Sequence, residues 1–155
     1  MTEIQRTLVI IKPDAVQRGL VGKVVHRFER KGLKLIGLKL FKLSDERAKE
    51  LYQPHQGKFF YDYLIEFMTS SPIVAICLEG ANAIDIVRII NGATKPEEAQ
   101  PGSIRGDFSI DITHNVVHAS DSVENAEREL AILFEPNELN EYQRIDDEIL
   151  YSPEL

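Results

Sequence analysis

The apolar positions along the chain alternate between two spacings, one suited to strands and one to helices. Residues 6–12, Arg-Thr-Leu-Val-Ile-Ile-Lys, form a β-branched-rich run that predicts a buried strand ending on Lys12. Pro13 and Asp14 then favour a helical start. Val21, Val24, Val25 and Phe28 share one face of a helix over 21–31, and Gly32 is a suitable stop. Residues 34–42 predict a second strand, and Ser44 is placed to cap a short helix running through Tyr52. Pro54 and Gly57 interrupt the chain, after which Phe60, Leu64 and Phe67 predict a helix to about residue 69. A wholly apolar third strand follows over 73–78. Asn82 is placed to cap a helix that turns Ala83, Val87 and Ile90 inward and stops at Gly92.

Residues 93–115 lose this regularity. Pro96, Pro101, Gly102 and Gly106 punctuate them, and so long a loop in a small domain is commonly functional. Asn115-Val-Val-His118 then predicts a short strand, and Asp121-Ser-Val-Glu124 matches a capping box for a helix to about residue 134. Strands joined through helices in this order predict an α+β fold. It would be a ferredoxin-like βαββαβ sandwich whose four-stranded antiparallel sheet carries added helices and a long loop before the last strand. A doubly wound sheet is the alternative.

Length and charge narrow the function classes. A chain of 155 residues fits a single domain spanning 1–155. No apolar run approaches the ~20 residues of a membrane span, and the N-terminal Met-Thr-Glu-Ile-Gln-Arg lacks the apolar stretch of a signal peptide. The lone Cys77 lies in an apolar strand without a partner cysteine, which implies a reducing, cytoplasmic setting. The net charge of −7 argues against a general nucleic-acid binder. It is concentrated in residues 135–155, where seven acids meet one base, so residues 1–134 are almost neutral and leave room for a cationic pocket. The acidic tail is expected to lie over the body as a solvated face.

No Gly-x-x-x-x-Gly-Lys-Ser/Thr or Gly-x-Gly-x-x-Gly is present, so any phosphate chemistry must draw its positive charge from side chains. Lys12, Arg88 and Arg105 stand where buried-looking segments end. His118 closes an apolar strand just before a helix start, a place where a histidine can sit in a cleft. Glu129 lies a little over two turns along that helix and could orient the imidazole. His26, His55 and His114 have weaker settings, and no pair has metal-site spacing. Ser120 lacks a nucleophile elbow and reads as a capping residue. Tyr52 and Phe60 flank a break between helices, either as core or as the rim of a base-binding site.

Taken together, these segments resemble the nucleoside diphosphate kinase family from about residue 5 to residue 134. Thr7-Leu-Val-Ile-Ile-Lys-Pro-Asp14 looks like its opening strand and turn, followed by Gln17-Arg-Gly-Leu-Val-Gly22. Asn91-Gly-Ala-Thr94 and Pro101-Gly-Ser-Ile-Arg-Gly-Asp-Phe108 resemble its helix end and long loop. Asn115-Val-Val-His-Ala-Ser-Asp-Ser122 is similar to the segment around its phosphorylated histidine.

The resemblance implies a ping-pong reaction. A nucleoside triphosphate, mainly ATP, gives its γ-phosphoryl group to His118, and a nucleoside diphosphate then takes it. Neutral imidazole suits the task, being nucleophilic near pH 7 with an unperturbed pKa of about 6.5. By the same resemblance His118 reacts through Nδ1, and Lys12, Arg88 and Arg105 hold phosphates with hydroxyl help from Tyr52 and Thr94. Asn115 bonds the sugar and phosphate region. Phe60 stacks on the base with Ile112 opposite, and Ser120 and Glu129 support the histidine. Mg²⁺ is bound mainly through substrate phosphates, with Asp121 touching it through water. The assembly is a homo-oligomer, a hexamer in preference to a tetramer.

Two features depart from the family pattern: Ala119 stands where glycine is more usual, and residues 135–155 have no close match in its longer-chain members. Two other functions remain open at this point. A regulatory relative without turnover would typically have lost His118, Lys12 or Asn115, and a nucleic-acid-binding module would need a basic stripe that this chain lacks.

Overall fold

A computed structural model of the chain describes residues 3–153. Met1 and Thr2 of the N-terminal segment, and Glu154 of the acidic tail, lie outside the described residues. The sheet has four strands, β1 (Ile4–Ile11), β2 (Lys34–Phe41), β3 (Ile73–Ala81) and β4 (Val117–Ala119), in the order β2-β3-β1-β4. Every neighbouring pair is antiparallel. The ferredoxin-like expectation is therefore met, and the doubly wound alternative is not, since that fold needs parallel neighbours.

The helices are α1 (Pro13–Gln17), α2 (Val21–Lys31), α3 (Asp45–Leu51), α4 (Tyr61–Thr69), α5 (Ala83–Asn91), α6 (Ile104–Phe108), α7 (Val123–Leu133) and α8 (Asp147–Leu150). Alternation along the buried half of β1 explains why Leu8–Ile11 are apolar without a break. Leu8 and Ile10 face a core with Leu51, Met68 and Leu133, while Val9 and Ile11 face a second core with Val24, Phe28 and Val87. Successive side chains of a strand point to opposite sides, so a strand covered on both faces must be apolar at every position. Cys77 is fully buried in the first core, as its sequence setting implied.

Local signals largely held. Gly32 ends α2 at φ 108°, a conformation open to glycine. Ser44 Oγ accepts from Arg47 N at 3.2 Å and starts α3. Five expectations need correction. β3 runs three residues further than its apolar stretch, because Glu79 within it is neutralised across the ladder by Arg6 at 2.8 Å. Asn82 has a left-handed backbone and gives no side-chain cap; Gln5 Oε1 instead accepts from Ile84 N at 3.1 Å. Ile90 on the same helix is only half-buried. The cap of α7 is Ser122, which accepts from Asn125 N at 3.1 Å, rather than Asp121. The long loop is also more ordered than expected. Within it Ser103 accepts from Gly106 N at 3.0 Å and nucleates α6.

Residues beyond α7 run along β2, the edge of the sheet. Asn140 N donates to Ile36 O at 3.0 Å and the Tyr142 hydroxyl to Leu35 O at 2.5 Å, occupying carbonyls that an open edge would expose. Acids of this segment meet bases of the body, Glu138 with Lys39 at 2.9 Å and Glu141 with Arg6 at 3.1 Å. Among the described residues no helix is long and apolar enough to cross a membrane.

Candidate active site

β1 and β4 lie side by side, with His118 opposite Ile10 in the ladder. The turn leaving β1 therefore brings Lys12 and Asp14 against the segment entering β4. Lys12 N donates to Val116 O at 2.9 Å, and Lys12 Nζ donates to Asn115 Oδ1 at 2.7 Å and to Thr113 O at 3.3 Å. Val117 N donates back to Asn115 O at 2.8 Å, closing a three-residue turn around Val116. Val116 stands at φ 75°, a sparsely populated conformation for a β-branched residue. Its N–H donates to Asp14 Oδ2 at 3.1 Å.

His118 and its supports form a linear array. Nε2 of His118 lies 3.2 Å from Glu129 Oε2, and Ser120 Oγ donates to Glu129 Oε1 at 2.5 Å. Burial works against the charge on Glu129. The bonds from His118 and Ser120 and the nearby Arg128 charge outweigh it, holding the carboxyl below the usual glutamate range. Nδ1 of His118 has no hydrogen-bond partner among the described residues. The Tyr52 ring meets the imidazole edge-on at 5.8 Å. The Tyr52 hydroxyl is buried without a partner, and burial and then the Glu129 charge push its pKa up.

These groups open into a cleft of about 1100 Å³. Lys12, Tyr52, Phe60, Arg88, Thr94, Arg105, Ile112, Asn115, His118, Asp121 and Glu129 all line it. Of the residues to which the resemblance gives a role, Ser120 does not line it and lies behind Glu129. The three cations differ in kind. Arg88 is exposed. Lys12 is buried, and desolvation, reinforced by the Arg105 charge, lowers its pKa to about 8. Arg105 is clamped to backbone carbonyls, through Nη1 to Gly92 O at 2.8 Å, Nη2 to Val117 O at 2.6 Å and Nε to Asn115 O at 3.3 Å. Burial and then the Arg88 charge lower its pKa to about 10. The guanidinium thus ties the end of α5 to the turn before β4 while remaining on the cleft wall.

Ala119 lies in β4 opposite Val9 without a positive φ, so its methyl meets no backbone penalty. Asp121 takes a bond from Asn125 Nδ2 and then further hydrogen-bond and charge support, which hold its carboxyl below the usual range. Among the described residues no three His, Cys, Asp or Glu side chains converge as a metal cage.

Several cleft residues escaped the sequence reading. Asn91 is buried with both amide atoms unpartnered, and only its place beside Gly92 and Thr94 hinted at it. Arg128 lines the cleft while donating to Glu50 O at 3.0 Å and Leu51 O at 3.2 Å; its position next to Glu129 was the available signal. His55 packs between the Tyr52 and Phe60 rings, at 6.3 and 5.4 Å. His114 is structural. Its ring stacks on Phe67 at 4.2 Å and bonds the Tyr63 hydroxyl at 2.8 Å, anchoring the loop just before Asn115.

Known proteins resemble the chain over nearly its full length. The family profile Nucleoside diphosphate kinase matches residues 5–139. The nucleoside diphosphate kinase of Pyrococcus furiosus is 49% identical over 150 residues, covering 95% of this chain and 93% of that protein. That of Fervidobacterium nodosum is 52% identical over 139 residues, covering 90% and 95%. Among solved structures, the halophilic nucleoside diphosphate kinase of Halobacterium salinarum in complex with CDP superposes with a TM-score of 0.93. It is 43% identical, covering 97% of this chain and all of that one. A transition-state mimic of the Borrelia burgdorferi enzyme with bound vanadate and ADP superposes at 0.89 with 40% identity, covering 93% and 95%.

Proposed function

The chain belongs to the nucleoside diphosphate kinase family, and from that membership we propose that His118 carries the γ-phosphoryl group of a nucleoside triphosphate to a nucleoside diphosphate. The observation that carries this reading is the single-sided hold on the imidazole. Glu129 takes Nε2, which leaves Nδ1 unpartnered in a cleft lined by Lys12, Arg88 and Arg105.

In the first half-reaction the Nδ1 lone pair attacks the γ-phosphorus, and the bond to the β–γ bridging oxygen breaks with its electrons on the departing diphosphate. Nε2–H stays directed at Glu129, whose charge offsets the positive charge gained by the ring. In the second half-reaction a terminal β-oxygen of another diphosphate attacks the same phosphorus and the P–N bond breaks. One site then serves both nucleotides in turn. Phosphoryl transfer asks chiefly for alignment and spread positive charge, and the three cations supply that charge.

Lys12, Arg88 and Arg105 hold phosphates, Tyr52 and Thr94 offer hydroxyls, and Asn115 meets the sugar and phosphate region. Phe60 and Ile112 flank the base, and Ser120 supports Glu129. A magnesium ion fits this donor set as a companion of the nucleotide, and Asp121 would help to hold it through water. Bound with the nucleotide, it would neutralise phosphate charge. The CDP bound to the Halobacterium protein and the ADP and vanadate bound to the Borrelia protein support nucleotides as occupants. We read the chain as one domain with a cytoplasmic setting. The exposed Leu38 and Leu40 on β2 support reading it also as a homo-oligomer, which by family resemblance we take as a hexamer in preference to a tetramer.

Incubation with Mg²⁺-ATP and no acceptor tests the carrier. Intact mass is expected to rise by one phosphoryl group, labile to acid and removed by GDP. No adduct on the native protein, or the same adduct on His118→Ala, overturns the assignment.

A further inference from the structure

Val116 is the one β-branched residue at positive φ among the described residues, and it stands between Asn115 and the strand that carries His118. Such a conformation persists only where surrounding groups hold it. Two of the holding bonds are backbone to backbone, from Lys12 N to Val116 O at 2.9 Å and from Val117 N to Asn115 O at 2.8 Å. Only one side chain takes the Val116 amide itself, Asp14 through Oδ2 at 3.1 Å. The other carboxylate oxygen of Asp14 is buried without a partner, so the side chain has no wider web of hydrogen bonds to explain it.

We propose that Asp14 is a positioning residue: its carboxylate holds Val116 in the left-handed conformation from which Asn115 and His118 are presented to the nucleotide. The proposal rests on the reading of His118 as the phosphoryl carrier. Without the carboxylate the Val116 amide loses its acceptor, and the residue relaxes toward negative φ. That rotation swings Asn115, whose Oδ1 receives Lys12 Nζ at 2.7 Å, away from its place beside His118. Asp14 acts on the reaction through the backbone and not by touching substrate.

The test compares Asp14→Ala, Asp14→Asn and Asp14→Ala combined with Val116→Gly. The readout is the single-turnover rate of phosphoprotein formation at saturating Mg²⁺-ATP. Asp14→Ala is expected to slow it on the order of 10- to 100-fold, the effect of releasing one strained residue. Asp14→Asn keeps an oxygen acceptor and retains most of the rate. Glycine at 116 reaches φ 75° without a side-chain penalty, so the double variant recovers rate that Asp14→Ala lost. A merely structural role for Asp14 gives no such second-site recovery.

Hydrogen exchange at the Val116 amide provides a readout independent of the chemistry. Protection is lost in Asp14→Ala and kept in Asp14→Asn. Should Asp14→Ala fail to fold, Asp14→Asn and the double variant carry the same comparison. Wild-type rate in Asp14→Ala, or equal impairment in all three variants, overturns the proposal. An unphosphorylated native protein sinks the His118 reading instead, and exchange at Val116 then still decides whether Asp14 holds the turn.

Discussion

Glu129 Oε2 meets His118 at Nε2, 3.2 Å away, which fixes the role of each ring nitrogen. The nitrogen held by the carboxylate orients the ring, and the other is left for chemistry. Glu129→Gln keeps an acceptor at this position but removes the charge that offsets a cationic ring. We expect phosphoprotein formation to slow by about 100-fold or more, with nucleotide affinity little changed. A proportionate loss of affinity would assign Glu129 to ligand binding.

The same carboxyl links folding to pH. Its pKa is held below the unfolded value, so its stabilising contribution is present above the ordinary glutamate value of about 4.3 and fades as pH falls through the folded value. The stability gap between native protein and Glu129→Gln, measured by urea unfolding, is expected to narrow on acidification. A gap that is constant from neutral pH into the acid range would contradict this.

Lys12 predicts an alkaline limb. Its pKa near 8 means that the free protein loses a phosphate-holding charge as pH rises past that value. The profile of kcat/KM, which reports the free enzyme, is expected to fall above about pH 8. The kcat profile should fall at higher pH, because bound phosphates favour the charged lysine. A kcat/KM profile level to pH 10 would show that this charge is not needed.

Arg105 and Arg88 separate stability from binding. Arg105→Leu strips three backbone carbonyls of a charged donor. It is expected to cost about 3 kcal/mol or more, lowering Tm by several degrees at roughly 2–4 °C per kcal/mol for a chain of this size. Arg88→Leu is expected to leave Tm unchanged while raising KM for nucleotides. Thermal melts paired with steady-state kinetics distinguish the two, and equal Tm shifts would refute the division.

Phe60→Ala is expected to weaken nucleotide binding while preserving adduct formation at saturating ATP. Unchanged apparent affinity for every nucleotide would reduce Phe60 to a packing role.

The parts of this molecule that were legible in the sequence are those written in local chemistry. Gly32 as a helix stop, Ser44 as a cap and the unbroken apolar run Leu8–Ile11 of β1 each carry a short-range reason for their structure. The cleft residues were legible through motif resemblance and the termini of apolar runs. What escaped depended on distant partners. Nothing local shows that Gln5 would cap α5, that Arg6 would neutralise Glu79 inside a strand, or that Arg105 would grip three carbonyls. Valine is a poor choice for φ 75°, so the conformation of Val116 could not be read from its identity; it is imposed by contacts from the other end of the chain.

The pairing of Ile10 with His118 also sets a timetable. Ile10 belongs to the opening strand, and its partner His118 arrives in a three-residue strand added after most of the sheet can already exist. Closing so long a separation is costly in chain entropy before it is rewarded by contacts. β1, β2 and β3 all precede His118 in the chain and pair with one another without β4. The growing chain can therefore pair most of its sheet before His118 joins it, and the cleft is complete only when the last strand has docked.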